Sequence, residues 1–265
     1  MSTHVVTGAA SGIGLATSAK LREQGHRVIG VDLSSSDVVE DLSTAEGRAA
    51  AIAEISALAP EGIAGFVPCA GLGGFTGVDP ALLVSVNYFG AIRLLQGLRP
   101  LLVKAAENGE PAGAVLLSSN SVTCQPGWAS DVAAACLDND EQEARQAAME
   151  HDAVEVYPAT KAALAWWARR EGVKQDWIGS GIRVNAVAPG LIATAMTEQL
   201  RADPELGVFA DAYPTAIGRA GLPEEIANTI AFLLSDQASL LVGAAVFVDG
   251  GTDAIMHPTM PSGPI

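Results

Sequence analysis

The run VYPATKAAL (residues 156–164) places Tyr157 four positions before Lys161. Four positions are one helical turn, so on a helix the two side chains share a face and the ammonium reaches back toward the phenol. Such a pair can move a proton. A phenol of ordinary pKa near 10 must fall by roughly two to three units to act as a base near neutral pH, which takes about 3–4 kcal/mol of preferential phenolate stabilisation. A neighbouring ammonium supplies part of that. By itself the spacing equally describes an alanine-rich helix that opens with an aromatic. Pro158 suits either reading if Tyr157 begins the helix, because the first turn does not need the missing N–H.

A second constellation lies near the N-terminus. The strand-like HVVTG runs into TGAASGIG, with Gly8, Gly12 and Gly14 at G-x-x-x-G-x-G spacing. Glycines let a backbone approach a pyrophosphate, and the helix start offers N–H donors and a positive dipole end. The next strand-like run, RVIGVD, ends in Asp32, eighteen residues after Gly14. A carboxylate there accepts from both ribose hydroxyls of an adenosine and repels a 2′-phosphate. No lysine or arginine occurs between Arg27 and Arg48, so the expected cofactor is NAD rather than NADP. Asp41 and Leu42 follow where a carboxylate and a backbone could meet adenine, or where a helix is being capped.

The elements that must position these groups alternate strand with helix along the chain. Apolar runs such as GIAGFVPCAG, AGAVLLSS, GIRVNAVAPG and GAAVFVDGG are separated by amphipathic stretches of ordinary helical length. The pattern predicts an α/β fold, a doubly wound parallel sheet of Rossmann type with helices on both faces, in a single domain over 1–265. Pro189 and Gly190 end a strand at the carboxyl edge of that sheet, where ligands bind in such folds. Two stretches break the rhythm. Residues 120–156 form a long insertion whose 131–155 part holds eight acidic residues and one arginine, net −7, and reads as a solvated helical face. Residues 195–222, with Met196, Leu200, Phe209 and Tyr213 as apolar points, read as a substrate loop.

Composition narrows the function classes. A net charge of −15 over 265 residues speaks against a nucleic-acid partner. Cys69, Cys124 and Cys136 have no C-x-x-C spacing and read as free thiols of a reducing cytoplasm. No signal peptide is expected, nor an apolar stretch long enough to span a bilayer, so no membrane partner is foreseen. Four scattered histidines give no metal-binding pattern, and no metal is expected.

In TGAASGIG, CAG (69–71), VNYFG (86–90), LLSS (116–119), YPATK and VNAVAPG (184–190), taken in that order, the chain resembles the short-chain dehydrogenase/reductase family over nearly its whole length. Further likeness in DLSTAEGR, SVNYFG, the ending VDGGTDAIMHPT and the length of the 120–156 insertion points to its bacterial 3α-hydroxysteroid dehydrogenase/carbonyl reductase branch. The resemblance implies a catalytic tetrad of Asn87, Ser119, Tyr157 and Lys161. Tyr157 would carry the proton, Ser119 would hold the substrate oxygen, Lys161 would hold the nicotinamide ribose, and Asn87 would position a water that links the lysine to solvent.

The same resemblance implies cofactor contacts from Ser11 and Ile13 beside the three glycines, from Cys69, Ala70 and Gly71, and from Ile192 and Thr194 beyond Pro189 and Gly190. Cys69 departs from the asparagine of most members. The expected reaction is NAD-dependent interconversion of a secondary alcohol and a ketone, with a 3α-hydroxysteroid as the leading small-molecule substrate. A small aromatic or terpenoid alcohol is the alternative. A dinucleotide-sensing binding protein on the same fold is a rival that would lose the tyrosine or lysine. Neighbouring side chains on a strand point to opposite faces, so Ser118 and Ser119 cannot both meet substrate. The expected assembly is a homodimer through the last helix, last strand and tail, with the acidic insertion roofing the substrate site. Trp166, opposite Tyr157 on the helix, is assigned to packing or a subunit contact.

Overall fold

The structure, a computed structural model, describes residues 1–259; the tail from Met260, part of the expected dimer contact, and the Phe209 side chain lie outside the described residues. In chain order the elements are β1 (Thr3–Thr7), α1 (Gly12–Glu23), β2 (Arg27–Asp32), β3 (Val38–Val39), α2 (Ala45–Leu58), β4 (Gly65–Pro68), α3 (Pro80–Leu83), a π-helical turn (Val84–Phe89), α4 (Gly90–Glu107) and β5 (Gly113–Leu117). There follow α5 (Ser121–Cys124), α6 (Ser130–Leu137), α7 (Glu141–Ala148), α8 (Ala153–Glu171), β6 (Arg183–Pro189), α9 (Ala195–Ala202), α10 (Gly207–Asp211), α11 (Pro223–Leu234), β7 (Ala245–Val248) and α12 (Thr252–Met256).

All seven strands are parallel, in the order β3-β2-β1-β4-β5-β6-β7. Every residue of β5 and β6 is buried, which is why these strands read as unbroken apolar runs rather than alternating ones. The strand order reverses between β1 and β4, so the sheet opens at their carboxyl ends, next to Gly8 and Cys69–Gly71. The two-residue β3 has no signature in the sequence. It pairs Asp32 with Val39 at the sheet edge.

Three expectations are corrected. Pro80–Glu107 is a continuous 28-residue helical stretch with a window of hydropathy 1.3, long and apolar enough to cross a membrane by those criteria. That window is 72% buried within the fold, and its apolarity serves the core. Tyr157 does not begin its helix: α8 starts four residues earlier, at Ala153. The insertion, finally, does not roof the substrate site as a whole. Its helices α6 and α7 pack against α8, α3 and the π-helical turn. Val132, Ala133, Cys136, Ala144 and Ala148 face the main core, which leaves most of the acidic residues outward. Trp166 is 40% exposed and packs on Trp128 of the insertion, with ring centroids 5.6 Å apart.

Candidate active site

Helix α8 sets the geometry. Asp152 is its N-cap, and the Glu155 carboxylate accepts from the Asp152 N–H at 3.4 Å. Pro158 therefore lies beyond the first turn and leaves the Val154 carbonyl without its helical donor. The Gln125 side-chain amide donates to that carbonyl at 2.9 Å, so the loop after the serine strand is tied to the entry of the tyrosine helix.

Ser119, one residue past Ser118 at the end of β5, lies beside the Tyr157 hydroxyl and accepts from the Ser121 N–H at 3.1 Å. Burial raises the Tyr157 pKa, and the Ser119 hydroxyl opposes the rise. Lys161 is 7% exposed; its Nζ donates to the Leu117 carbonyl at 3.0 Å and stands 5.6 Å from the Tyr157 ring centroid. Burial lowers its pKa from 10.5 to about 8. In the chain by itself, burial thus outweighs the groups that favour the phenolate. The ammonium is engaged with Leu117.

Asn87 sits inside the π-helical turn, 1% exposed. Its Oδ1 accepts from the Leu72 N–H at 2.8 Å and its Nδ2 donates to the Leu72 carbonyl at 3.0 Å. A side chain added at Gly71 would begin 3.1 Å from that Oδ1 and 3.6 Å from Lys161 Nζ, so Asn87, Gly71 and Lys161 meet in one place. The Cys69 thiol is pushed up to about 12 by burial and is no nucleophile here. Its backbone N–H bonds the Thr7 carbonyl, and that of Ala70 bonds Thr7 Oγ1 at 3.0 Å.

A dinucleotide fits the groove at the sheet's carboxyl edge. Gly8 and Gly12 have φ of +63° and +51°, and a Cβ on Gly8 would stand 2.7 Å from the Ala70 nitrogen. The turn accordingly requires glycine. Ser11 is the N-cap of α1, yet its hydroxyl makes no capping bond, which leaves it beside Ile13 and the first-turn N–H groups for an anion. Across from the turn, Thr194 Cγ2 lies 3.5 Å from where a Gly12 Cβ would be. Thr194 Oγ1 and Thr197 Oγ1 both donate to the Ile192 carbonyl.

At the adenosine end, Asp32 accepts from the Ala10 N–H at 3.0 Å and from Leu33 at 2.7 Å. Each carboxylate oxygen keeps a lone pair for a ribose hydroxyl. Asp41 is exposed and caps its own loop through the Ser43 N–H at 2.9 Å. The Leu42 side chain is buried in the core, and its carbonyl accepts from Arg48 at 3.3 Å. Arg22 also lines a hollow beside Gly30, Ser36 and Asp37, a basic group that the sequence spacing did not bring to this end. Among the described residues no group of three His, Cys, Asp or Glu side chains could hold a metal ion.

Tyr157 and Ser119 open onto a cavity of about 700 Å³. Its walls are mostly apolar, including Phe75, Leu191, Met196, Leu200 and Met256. The substrate loop 195–222 and residues 120–127 and 154 contribute, whereas 128–153 do not. Pro189 and Gly190 place the back wall: a Cβ on Gly190 would meet Asp249 at 2.8 Å. Tyr213 donates to Asn120 Oδ1 at 2.6 Å, and Asn120 reaches Asp249 at 3.4 Å. Sequence reading took Tyr213 for an apolar point and passed over Asn120 and Gln125, because long-range side-chain partners leave no periodic signal.

The family described as "Enoyl-(Acyl carrier protein) reductase" matches residues 141–253. The chain is 38% identical over 263 residues to a 3-alpha-hydroxysteroid dehydrogenase/carbonyl reductase of Comamonas testosteroni, covering 98% of this chain and 99% of that one. It is 31% identical to a galactitol 2-dehydrogenase (L-tagatose-forming) of Cereibacter sphaeroides, over 93% and 92% of the two chains. The crystal structure of the 3-alpha-hydroxysteroid dehydrogenase from Pseudomonas sp. B-0831, complexed with NADH, superimposes with a TM-score of 0.92 at 39% identity, over 98% and 100% of the two chains. The chain belongs to the short-chain dehydrogenase/reductase family of oxidoreductases.

Proposed function

We propose that this protein is an NAD-dependent alcohol dehydrogenase and carbonyl reductase whose substrate is an apolar, fused-ring secondary alcohol of the 3α-hydroxysteroid type. The observation that carries the reading is the Ser119–Tyr157 pair at the wall of a large cavity with few polar groups. Such a lining suits a steroid better than a polyol such as galactitol, whose hydroxyls would lose water without replacement. The similarity to the two hydroxysteroid enzymes supports the same class. A dinucleotide held there would supply the hydride acceptor at nicotinamide C4 and, when oxidised, a positive ring that favours the phenolate.

Ser119 donates a hydrogen bond to the substrate oxygen and holds it against Tyr157 Oη. Tyr157 takes the hydroxyl proton during oxidation and returns it during reduction. Lys161 would hold the nicotinamide ribose, and its Nζ, beside Gly71 and Asn87, would pass the proton to a water that Asn87 positions. Gly8, Ser11, Gly12, Ile13 and Gly14 bind the pyrophosphate, with Asp32 on the ribose and Asp41 and the Leu42 backbone near adenine. Cys69, Ala70 and Gly71 line the opposite lip, and Pro189, Gly190, Ile192 and Thr194 orient the carboxamide. NADH formation should be screened with 3α-hydroxysteroids, terpenoid alcohols, aromatic secondary alcohols and galactitol. Highest kcat/KM for a steroid supports the reading; preference for galactitol overturns it.

The same reading places the protein in the cytoplasm as a homodimer. Its three cysteines are free. Helix α6 covers part of the α8 surface, while Phe232, Leu240 and Phe247 are exposed on the α11 and β7 side. Light scattering that reports a stable tetramer would contradict the dimer.

A further inference from the structure

We propose that helix α7 of the insertion is a positioning element of the active centre, holding through Arg145 the π-helical turn that carries Asn87. The proposal rests on the reading of Asn87 as part of the proton path. Arg145 is the lone arginine of the acidic stretch 131–155, and it reaches inward. Its Nη1 donates to Ser85 Oγ at 2.5 Å and to the Ala81 carbonyl at 3.3 Å. Ser85 is fully buried and stands two residues before Asn87.

A second arm meets the same residue. Arg48 Nη1 lies 3.5 Å from the Ser85 carbonyl and 3.3 Å from that of Leu42. Its guanidinium is gripped by Glu141 of α7 at 3.1 and 2.6 Å. The corner before α7 is fastened as well: Arg93 of α4 donates to the Asn139 carbonyl at 2.9 Å.

The physical reason for such a brace is the wide turn itself. A π-helical turn is a rare geometry, found mostly as a single turn inside an α-helix and frequently at functional sites. Here its two outer donors both belong to, or are held by, α7. Any shift of the turn passes directly to the site, because both polar atoms of Asn87 bind Leu72, and Gly71 lies between Asn87 and Lys161 Nζ. An insertion that only covered apolar surface would need alanines and valines, not a charge-assisted bond to a buried serine.

The test compares Arg145→Ala, Arg145→Lys, Ser85→Ala, the Arg145→Ala/Ser85→Ala double variant and Asn87→Ala. It measures oxidation of a 3α-hydroxysteroid with NAD, NADH binding by fluorescence, thermal melting, and hydrogen–deuterium exchange over residues 69–90. The expected result for Arg145→Ala is kcat lower by about ten- to a hundredfold, with KM and NADH affinity little changed. Exchange should be faster at 70–73 and 84–90, Arg145→Lys should recover most of the rate, and the double variant should be no worse than the weaker single. Ser85→Ala and Arg145→Lys serve if Arg145→Ala does not fold. Unchanged exchange at 70–90, additive losses, or a normal kcat in Arg145→Ala while Asn87→Ala is impaired overturns the brace. A normal rate in Asn87→Ala together with faster exchange in Arg145→Ala keeps the brace and removes Asn87 from the proton path.

Discussion

The Ser118 hydroxyl donates to the main-chain carbonyl of Lys161 at 2.8 Å, while the next residue, Ser119, turns to Tyr157. Adjacent serines therefore divide the work, one locking the tyrosine helix to the sheet and the other facing the cavity. Ser119→Ala should lower kcat by at least about a hundredfold, the scale of losing one donor to the reacting oxygen. Ser118→Ala should leave kcat within a few-fold and lower stability by about 1 kcal/mol through the lost bond. Steady-state rates with urea melts check both, and the reverse ranking would reassign the serine.

Lys161 makes stability depend on alkaline pH. Its folded pKa of about 8 lies below the ordinary 10.5, so between those values the unfolded chain binds more protons than the native one. Stability must then rise with pH across that window, and the contribution is fully lost below pH 8. The shift corresponds to about 3 kcal/mol. Urea melts between pH 7.5 and 10.5 should show this rise in the wild type and a flatter profile in Lys161→Met. Equal slopes in the two proteins would place the lysine in a wetter setting than the structure does.

Asp32→Ala should weaken NADH binding and narrow the preference over NADPH. The carboxylate is the acid at the end of β2, and its bond to the Ala10 N–H holds the glycine turn as well. Because Arg22 lines the neighbouring hollow, the variant should gain some NADPH turnover rather than only lose NADH. A wild type that already prefers NADPH in initial-rate assays contradicts the ribose assignment.

The fold was legible because its signals are local. Buried parallel strands leave apolar runs, and a glycine turn between a strand and a helix marks the dinucleotide edge whatever the rest of the chain does. The spacing of Tyr157 and Lys161 survived even though the helix starts at Ala153, since periodicity does not depend on where a helix begins. What escaped was long-range. Gln125 compensates for Pro158 across 29 residues at Val154, and Arg48 meets Glu141 across 93. The insertion's position could not be read from its charge, because an acidic outer face says only that one side is wet. Its small apolar residues, Ala133, Ala144 and Ala148 among them, decided which side is dry.

The central claim is that the Tyr157 hydroxyl carries the proton while other groups hold the dinucleotide. Tyr157→Phe keeps the ring and its packing and removes only the hydroxyl that meets Ser119. The direct measurement is NADH formation from a 3α-hydroxysteroid by this variant, alongside its NADH affinity by fluorescence titration. The account predicts turnover lost by at least about a thousandfold, the scale of general acid–base catalysis, with NADH affinity within a few-fold of wild type. Turnover within tenfold of wild type would contradict it.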